Sequence, residues 1–562
     1  MSRVIILCAL ASVTVALGPF KSPIQGNVWP KPFSEEKGYV LYKFIGNFFF
    51  WPTQYDCERL KNATDKASWR IKNLLRMVYK YNQDAGNSDT FKNINLPVVW
   101  KFYIHLKQPC EAYPHADMDE SYNLTIGTIT KLTSNSIWGM IRGLETFSQL
   151  FYISDDFSDV LVNSTIIYDY PQYRHRGILV DTSRHYLSMD TMHKLLDGMA
   201  TNKMNVLHWH MVDDQSFPYK SEKFPELSKE GAYYPSLTYD KNDVEEIIDY
   251  AAQQGIRVIP EFDTPGHVTS WGLSHPEIMT QCRETAWLWR PLNPVKNETY
   301  DLLRELFREV QDMFPERYFH LGGDEVFKSC WQDDPITQQY MKEHNMSTDD
   351  LYGLYMNNTM KLLKNGTVPI MWEEAYFNNK TDMINATVQA WRSNSNMAEM
   401  IKRHINVIYS TGWYLDSNLT KRFDDFYKFE PRLIAYDATG DHSLDKYIIG
   451  GEACMWGEMV DDSNILSRIF PRASAVAEVL WSVTNGTVPD DLFNRMEEHA
   501  CRMIQDGYPA APPSKSGFCI TMDNVVKAEP KPKLFTYHQA NEPSRSEFSK
   551  LRYVKHNRTK TP

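Results

Sequence analysis

From position 173 to 481 the chain repeats one pattern, a short apolar strand-like run followed in most cases by an amphipathic helical stretch. This alternation restricts the fold more than any other feature of the sequence. Parallel strands cannot be joined by a tight turn and need a crossover long enough to hold a helix. The strand-like runs fall at 177–183, 206–214, 258–264, 318–323, 369–372, 387–391, 406–411 and 447–456. Apolar residues recurring every three or four positions mark helices at 190–203, 242–254, 299–313, 349–363 and 467–480. Gly255 and the Phe314-Pro315 pair supply helix stops. Eight strands with intervening helices predict an α/β fold, a (β/α)8 TIM barrel.

Such barrels keep their active sites at the C-terminal ends of the strands. In chain order those ends carry Arg184, Asp213, His267, Asp324 with Glu325, Trp372, Trp391, Tyr414, and Trp456 with Glu458. A purely structural barrel has no need of a polar or aromatic group at every end, whereas a sugar pocket does. The fourth end is the most informative. Residues 318–331 read YFHLGGDEVFKSCW. The two glycines break the strand and free the backbone to turn Asp324 and Glu325 toward one cavity. Neighbouring buried carboxylates split their proton affinities, which equips the pair for acid–base work at a glycosidic oxygen.

HLGGDE with Cys330-Trp331 close behind resembles the catalytic strand of family 20 glycoside hydrolases, the β-N-acetylhexosaminidases. DTSRHYL, NVLHWHMVDDQSFPY, EFDTPGH and GGEACMWGE extend the resemblance over about residues 20–520. The cysteine positions and PGHVTSW are most similar to the lysosomal α and β subunits. The resemblance implies exo-acting removal of terminal GlcNAc or GalNAc by a retaining, substrate-assisted reaction, without metal or organic cofactor. Glu325 would be the acid/base and Asp324 the partner of the acetamido N–H. Tyr414 would donate to the acetamide oxygen. Asp213 would hold His267, which orients Glu325, and Asp263 would be structural. Arg184, paired with Glu458, would bind the O3 and O4 hydroxyls. Trp372, Trp391 and Trp456 would wall the acetamide pocket, and Trp481 would belong to the core. Asp416 would accept from a free 6-hydroxyl and disfavour a 6-sulfate.

Two histidines two apart on a strand, His208 and His210, share a face and can hold a metal in some barrels. The other expected metal ligands are not evident, and packed, hydrogen-bonded histidines are the favoured reading. Two other functions remain open: a two-carboxylate β-glycosidase acting on plain sugars, and a lectin-like surface protein without turnover.

The remaining sequence sets the context. With 562 residues the chain should form two or more domains. Residues 18–170 mix strand-like runs (98–106, 122–129, 165–170) with helical ones (67–81, 136–152), predicting a smaller α/β sandwich-like domain before the barrel domain at 171–520. Residues 1–17, with Arg3, an apolar run and a small-residue site, read as a signal peptide. No later run is long enough to span a membrane. Asn-x-Ser/Thr sequons at Asn62, Asn123, Asn163, Asn297, Asn345, Asn357, Asn365, Asn379, Asn385, Asn418, Asn485 and Asn557 agree with a secretory route to the lysosome or the exterior. A net charge of −11 argues against a nucleic-acid partner; a homodimer or a related subunit is the expected protein partner. Cys8 leaves with the leader, and seven cysteines remain. Nearest-neighbour pairing, supported by the resemblance, gives Cys57–Cys110, Cys282–Cys330 and Cys501–Cys519, with Cys454 a buried thiol. Residues 521–562 form a tail expected to be disordered. Its stretch 527–562 carries nine Lys/Arg against three Glu.

Overall fold

The structure is a computed structural model describing residues 24–46, 48–52, 55–84, 96–99, 101–282, 289–417, 420–513 and 518–525. The expected leader at 1–17 and nearly all of the tail lie outside the described residues.

A seven-stranded mixed sheet builds the N-terminal domain. Its strands are β1 (Ser34–Phe44), β2 (Phe49–Pro52), β3 (Lys101–Leu106), β4 (Tyr122–Ile126), β5 (Thr130–Ser134), β6 (Tyr152–Ile153) and β7 (Val160–Asp169). They run in the order β1-β7-β4-β5-β3-β2, with β6 on β7. The expected single strand at 122–129 is an antiparallel pair, because Gly127 opens a turn between β4 and β5. β1 escaped the sequence reading because it is an edge strand exposed along most of its length, with little apolar alternation.

Helices α1 (Glu58–Asp84) and α2 (Ile137–Gln149) belong to this domain. Every residue of α2 is buried, since the helix lies between the sheet and the barrel. A Cβ at Gly143 would sit 2.4 Å from Leu132 Cδ1, so glycine sets how closely α2 approaches β5. On its barrel side, Arg142 donates to the carbonyls of Gln254 and Gly255 at 3.0 and 2.8 Å. Glu120 ties Arg142 (2.9 Å) to Arg176 of the first barrel strand (2.6 Å).

The barrel closes through eight parallel strands in chain order: β8 (His175–Asp181), β9 (Val206–Val212), β10 (Arg257–Phe262), β11 (Tyr318–His320), β12 (Val368–Trp372), β13 (Thr387–Ala390), β14 (Asn406–Tyr409) and β15 (Ile448–Met455). The expected eight strands are all present. The expected helix at 467–480 is two, Ile465–Ile469 and Arg472–Trp481, because Pro471 has no N–H to continue the first. Trp481 is fully buried.

Three layers fill the barrel. Val206, Ile259, Tyr318, Ile370, Ile408 and Ile449 form an apolar floor. Above it lies a polar layer of His175, His208, His320, Glu261, Gln389 and Glu452. The top layer is largely aromatic: Leu179, Trp372 and Cys454 are fully buried, and Trp391, Tyr414 and Trp456 pack on them partly buried. Cys454 is the free cysteine among the described residues, and Cys57–Cys110, Cys282–Cys330 and Cys501–Cys519 are disulfides.

Candidate active site

The loop after β11 sets the geometry. Gly322 and Gly323 have φ of +67° and +100°. A Cβ at Gly322 would lie 1.7 Å from Asp263 Oδ1, so only glycine fits. The Gly323 N–H donates to that same Asp263 oxygen at 2.8 Å. Glu325 and, on the loop after β10, His267 are held at φ +49° and +57°, a left-handed conformation uncommon outside glycine. Such strain collects where surrounding structure fixes a functional side chain.

These loops gather five carboxylates around one imidazole, Asp214 being the fifth at 3.9 Å from His267 Nδ1. His267 Nδ1 lies 3.2 Å from Asp213 Oδ1. Its Nε2 is 3.8 Å from Asp263, 3.9 Å from Asp324 and 3.9 Å from Glu325. Burial disfavours charge on His267, yet Asp213, Asp263 and Asp324 overcome it and raise its pKa well above the usual histidine range. Burial likewise opposes charge on Asp213, but His267 and Arg184 prevail and hold its carboxyl well below the usual range. Asp263 goes the other way: burial, then the charge of Asp324, raises it well above the carboxylate range. Asp263 is therefore part of the charged cluster as well as a brace for the glycine turn, more than the structural part expected for it. Glu325 is more than half exposed, at 57%, against 10% for the Asp324 side chain. Asp324 Oδ1 is buried without a hydrogen-bond partner among the described residues.

Arg184 departs from expectation. Its guanidinium pairs with Asp181 at 2.9 Å and Asp213 at 2.8 Å and donates to Gln215 at 3.0 Å. Glu458 stands exposed and acts on Arg184 only as a weaker electrostatic neighbour, so the expected Arg184–Glu458 ion pair is replaced by one to the ends of β8 and β9. Asp181 terminates β8 and is buried, which supplies the nearer anion.

The aromatic residues make a box beside this cluster. Trp372 and Trp456 have centroids 5.9 Å apart, and Trp391 and Tyr414 stack at 6.0 Å. The Arg184 guanidinium lies 5.1 Å from the Trp456 ring centroid. Trp372 Nε1 donates to Glu261 at 2.8 Å, and Trp391 Nε1 to Glu374 at 3.1 Å. Backbone hydrogen bonds between Leu415 and Cys454 (2.8 Å) and between Cys454 and Trp413 (3.0 Å) dock the Tyr414 loop on β15. Asp416 follows, its Oδ1 buried without a partner among the described residues. Burial, and then Glu458, push the Asp416 carboxyl up to about 6 against hydrogen bonds from backbone N–H groups.

Sequence reasoning missed Glu374 and Asp181. Glu374 also pairs with Arg392 at 2.6 Å, and burial followed by the Asp324 charge raises it to about 7. Asp181 ends β8 and Glu374 lies two residues past the end of β12, the same signal that found the others.

Three histidine- and carboxylate-rich groups among the described residues have the spacing of cation ligands. His208, Glu261 and His320 lie close together in the polar layer. Most of their ligand atoms are already engaged: Glu261 faces His208 (3.0 Å), His210 (2.6 Å), His320 (3.0 Å) and Trp372, while His208 Nδ1 meets Glu452 at 2.8 Å. The neighbours Glu452 and Glu261 keep His208 protonated near 9 despite burial, which repels a metal. Asp213, Asp214 and His267 form the second group and Asp263, His267 and Asp324 the third, and both belong to the charged cluster described above.

Residues 173–484 match the profile described as "Glycosyl hydrolase family 20, catalytic domain", and residues 28–150 match "beta-acetyl hexosaminidase like". The chain belongs to glycosyl hydrolase family 20. Within this family, the human β-hexosaminidase subunit β is 42% identical over 513 residues, covering 88% of this chain and 89% of the relative. The mouse α subunit is 36% identical, covering 92% and 97%. A Flavobacterium johnsoniae chitobiase of family 20 superposes with a TM-score of 0.71 at 26% identity, covering 86% of this chain and 73% of that one. The chain is thus a family 20 glycoside hydrolase homologous to the β-hexosaminidase subunits.

Proposed function

We propose that the protein removes terminal β-linked GlcNAc or GalNAc from glycoconjugates by a retaining reaction in which the substrate's acetamido oxygen is the nucleophile. The observation that carries this reading is the pairing of Asp324 and Glu325 at His267 with an aromatic box alongside. The buried, unpartnered Asp324 Oδ1 is a ready acceptor for an acetamido N–H. Trp372, Trp391 and Trp456 suit the acetamide methyl and the sugar face, and Tyr414 suits the acetamide oxygen.

In the first step the exposed Glu325 protonates the leaving oxygen while the acetamido oxygen attacks C1 and forms an oxazolinium ion. Asp324 holds the N–H and stabilises the positive charge as it develops. In the second step Glu325 takes a proton from water, which opens the ring with net retention. Orienting the internal nucleophile replaces a second enzyme carboxylate at C1. Arg184, anchored by Asp181 and Asp213, is suited to hydroxyls of the terminal sugar, and protonated His267 faces Glu325 and Asp324 and fixes their field.

A thiazoline mimic of the oxazolinium should inhibit strongly. A 2-deoxy-2-fluoro glycoside should leave no covalent adduct, and a sugar-labelled Asp or Glu peptide would overturn this route. The disulfides, the sequons and the relatives named above support a secretory or lysosomal location and a partner that is a second copy or a related subunit. The intact Asp324–Glu325 pair speaks against a lectin without turnover.

A further inference from the structure

Away from the catalytic cluster, a cavity of about 370 Å³ opens between the segment at 420–423, the junction of the helices Ile465–Ile469 and Arg472–Trp481, and residues 511–513. Lys421, Arg422, Arg468 and Arg472 line it, and no carboxylate does among the described residues. That is a marked excess of cations in a chain whose net charge is −11. Arg422 has a carboxylate outside the cavity, Asp424 at 3.0 Å. Arg468 Nη1 is buried with no hydrogen-bond partner among the described residues. Arg472 is drawn onto Arg468, donating from Nε (3.0 Å) and Nη2 (2.6 Å) to its carbonyl. Burial and then the like charge of Arg468 lower the Arg472 guanidinium to about 10, a large change for a group that otherwise stays protonated.

A buried guanidinium N–H left unmade is costly, and two crowded cations repel. Both penalties vanish when an oxyanion enters, because a guanidinium fork matches a tetrahedral oxyanion with two parallel hydrogen bonds. The volume lies in the range of small-ligand sites. Phe423 and Pro471 add apolar surface beside the cations. We propose that this cavity binds a sulfate or phosphate ester carried on a sugar-sized molecule, with Arg468 as its principal ligand.

The site is separate from the catalytic pocket but touches it. Arg472 Nη2 also donates to the Leu415 carbonyl at 2.8 Å, on the loop that carries Tyr414 and Asp416. An ester bound here would therefore sit behind that loop and leave the aromatic box free.

The test is isothermal titration of the full-length protein, its catalytic pocket saturated with the thiazoline inhibitor. The probes are galactose 6-sulfate, glucose 6-phosphate, inorganic sulfate, and sodium chloride at matched ionic strength. At least one ester should bind and chloride should not, and the tighter ester identifies the anion. Arg468→Gln should weaken that binding at least tenfold while kcat/KM on a neutral aryl N-acetylglucosaminide stays within twofold. Should Arg468→Gln fail to fold by circular dichroism, Lys421→Gln serves as the second variant, with weakened ester binding again expected. No ester binding, binding that chloride reproduces, binding displaced by the inhibitor, or equal affinity in the folded variant would each overturn the proposal.

Discussion

Replacing Asp213 by Asn removes one negative charge from a fully buried position at the centre of the charged cluster. Three cationic donors converge on it: Arg184 at 2.8 Å, His210 at 2.9 Å and His267 at 3.2 Å. Removing one partner of a buried ion pair costs about 3–5 kcal/mol, since the remaining charges stay desolvated. Asn keeps an acceptor oxygen and Arg184 keeps Asp181, so the low end, about 3 kcal/mol, is expected. The pH dependence gives a sharper reading. The Asp213 carboxyl is depressed in the folded state, so its contribution is present above the unfolded value of about 4 and is lost as pH falls below it. His267 is raised, so its contribution is complete below about 6.5 and lost as pH rises through its folded value. Asp213 is the leading group that raises His267. In Asp213→Asn the imidazole should therefore lose its proton at lower pH, and kcat/KM should fall on the alkaline side of the profile earlier than in the unaltered enzyme. A loss of about 10²-fold at the optimum is consistent with a misoriented acid/base. Urea unfolding from pH 3 to 8, with matched pH–rate profiles, measures both effects. Unchanged stability at pH 6 together with an unmoved alkaline limb would refute the assigned coupling.

Three further outcomes follow from other parts of the site. Glu325→Gln should nearly abolish hydrolysis of substrates with poor leaving groups and hurt activated aryl glycosides much less; equal losses, with an unfolded circular dichroism spectrum, would point to a structural role. Gly322→Ala should abolish activity and destabilise the protein by at least about 1–3 kcal/mol, the strain of a left-handed non-glycine residue, because its Cβ would strike Asp263 Oδ1; a normal melting temperature would contradict this. The protein should prefer neutral GlcNAc over 6-sulfo-GlcNAc, most strongly above pH 6, where the Asp416 carboxyl is ionised. The preference should shrink on acidification or in the Asp416→Asn, Ser417→Arg double variant, and competition assays showing no pH dependence would exclude Asp416 as its source.

The barrel was legible from sequence because strands buried on both faces leave unbroken apolar runs. β8, β9, β10 and β15 are buried at every residue, and their ends could be read off to within two residues. The glycine pair before Asp324 also announced itself, since glycine adopts positive φ at far lower cost than any other residue. Edge strand β1 and the short β2 left no comparable trace. Apart from the disulfides and the Asp213–His267 contact, which the family resemblance implied, partner choice was not legible. That Arg184 binds Asp181 and Asp213, that Asp263 braces the Gly323 N–H, and that Glu374 braces Trp391 depend on distances between strands far apart in the chain. Sequence pattern determines local conformation and which face is buried, because those follow from each residue and its near neighbours. Ion pairing and proton affinity are set by through-space fields in a desolvated interior, and those exist only once the eight strand ends have been brought together.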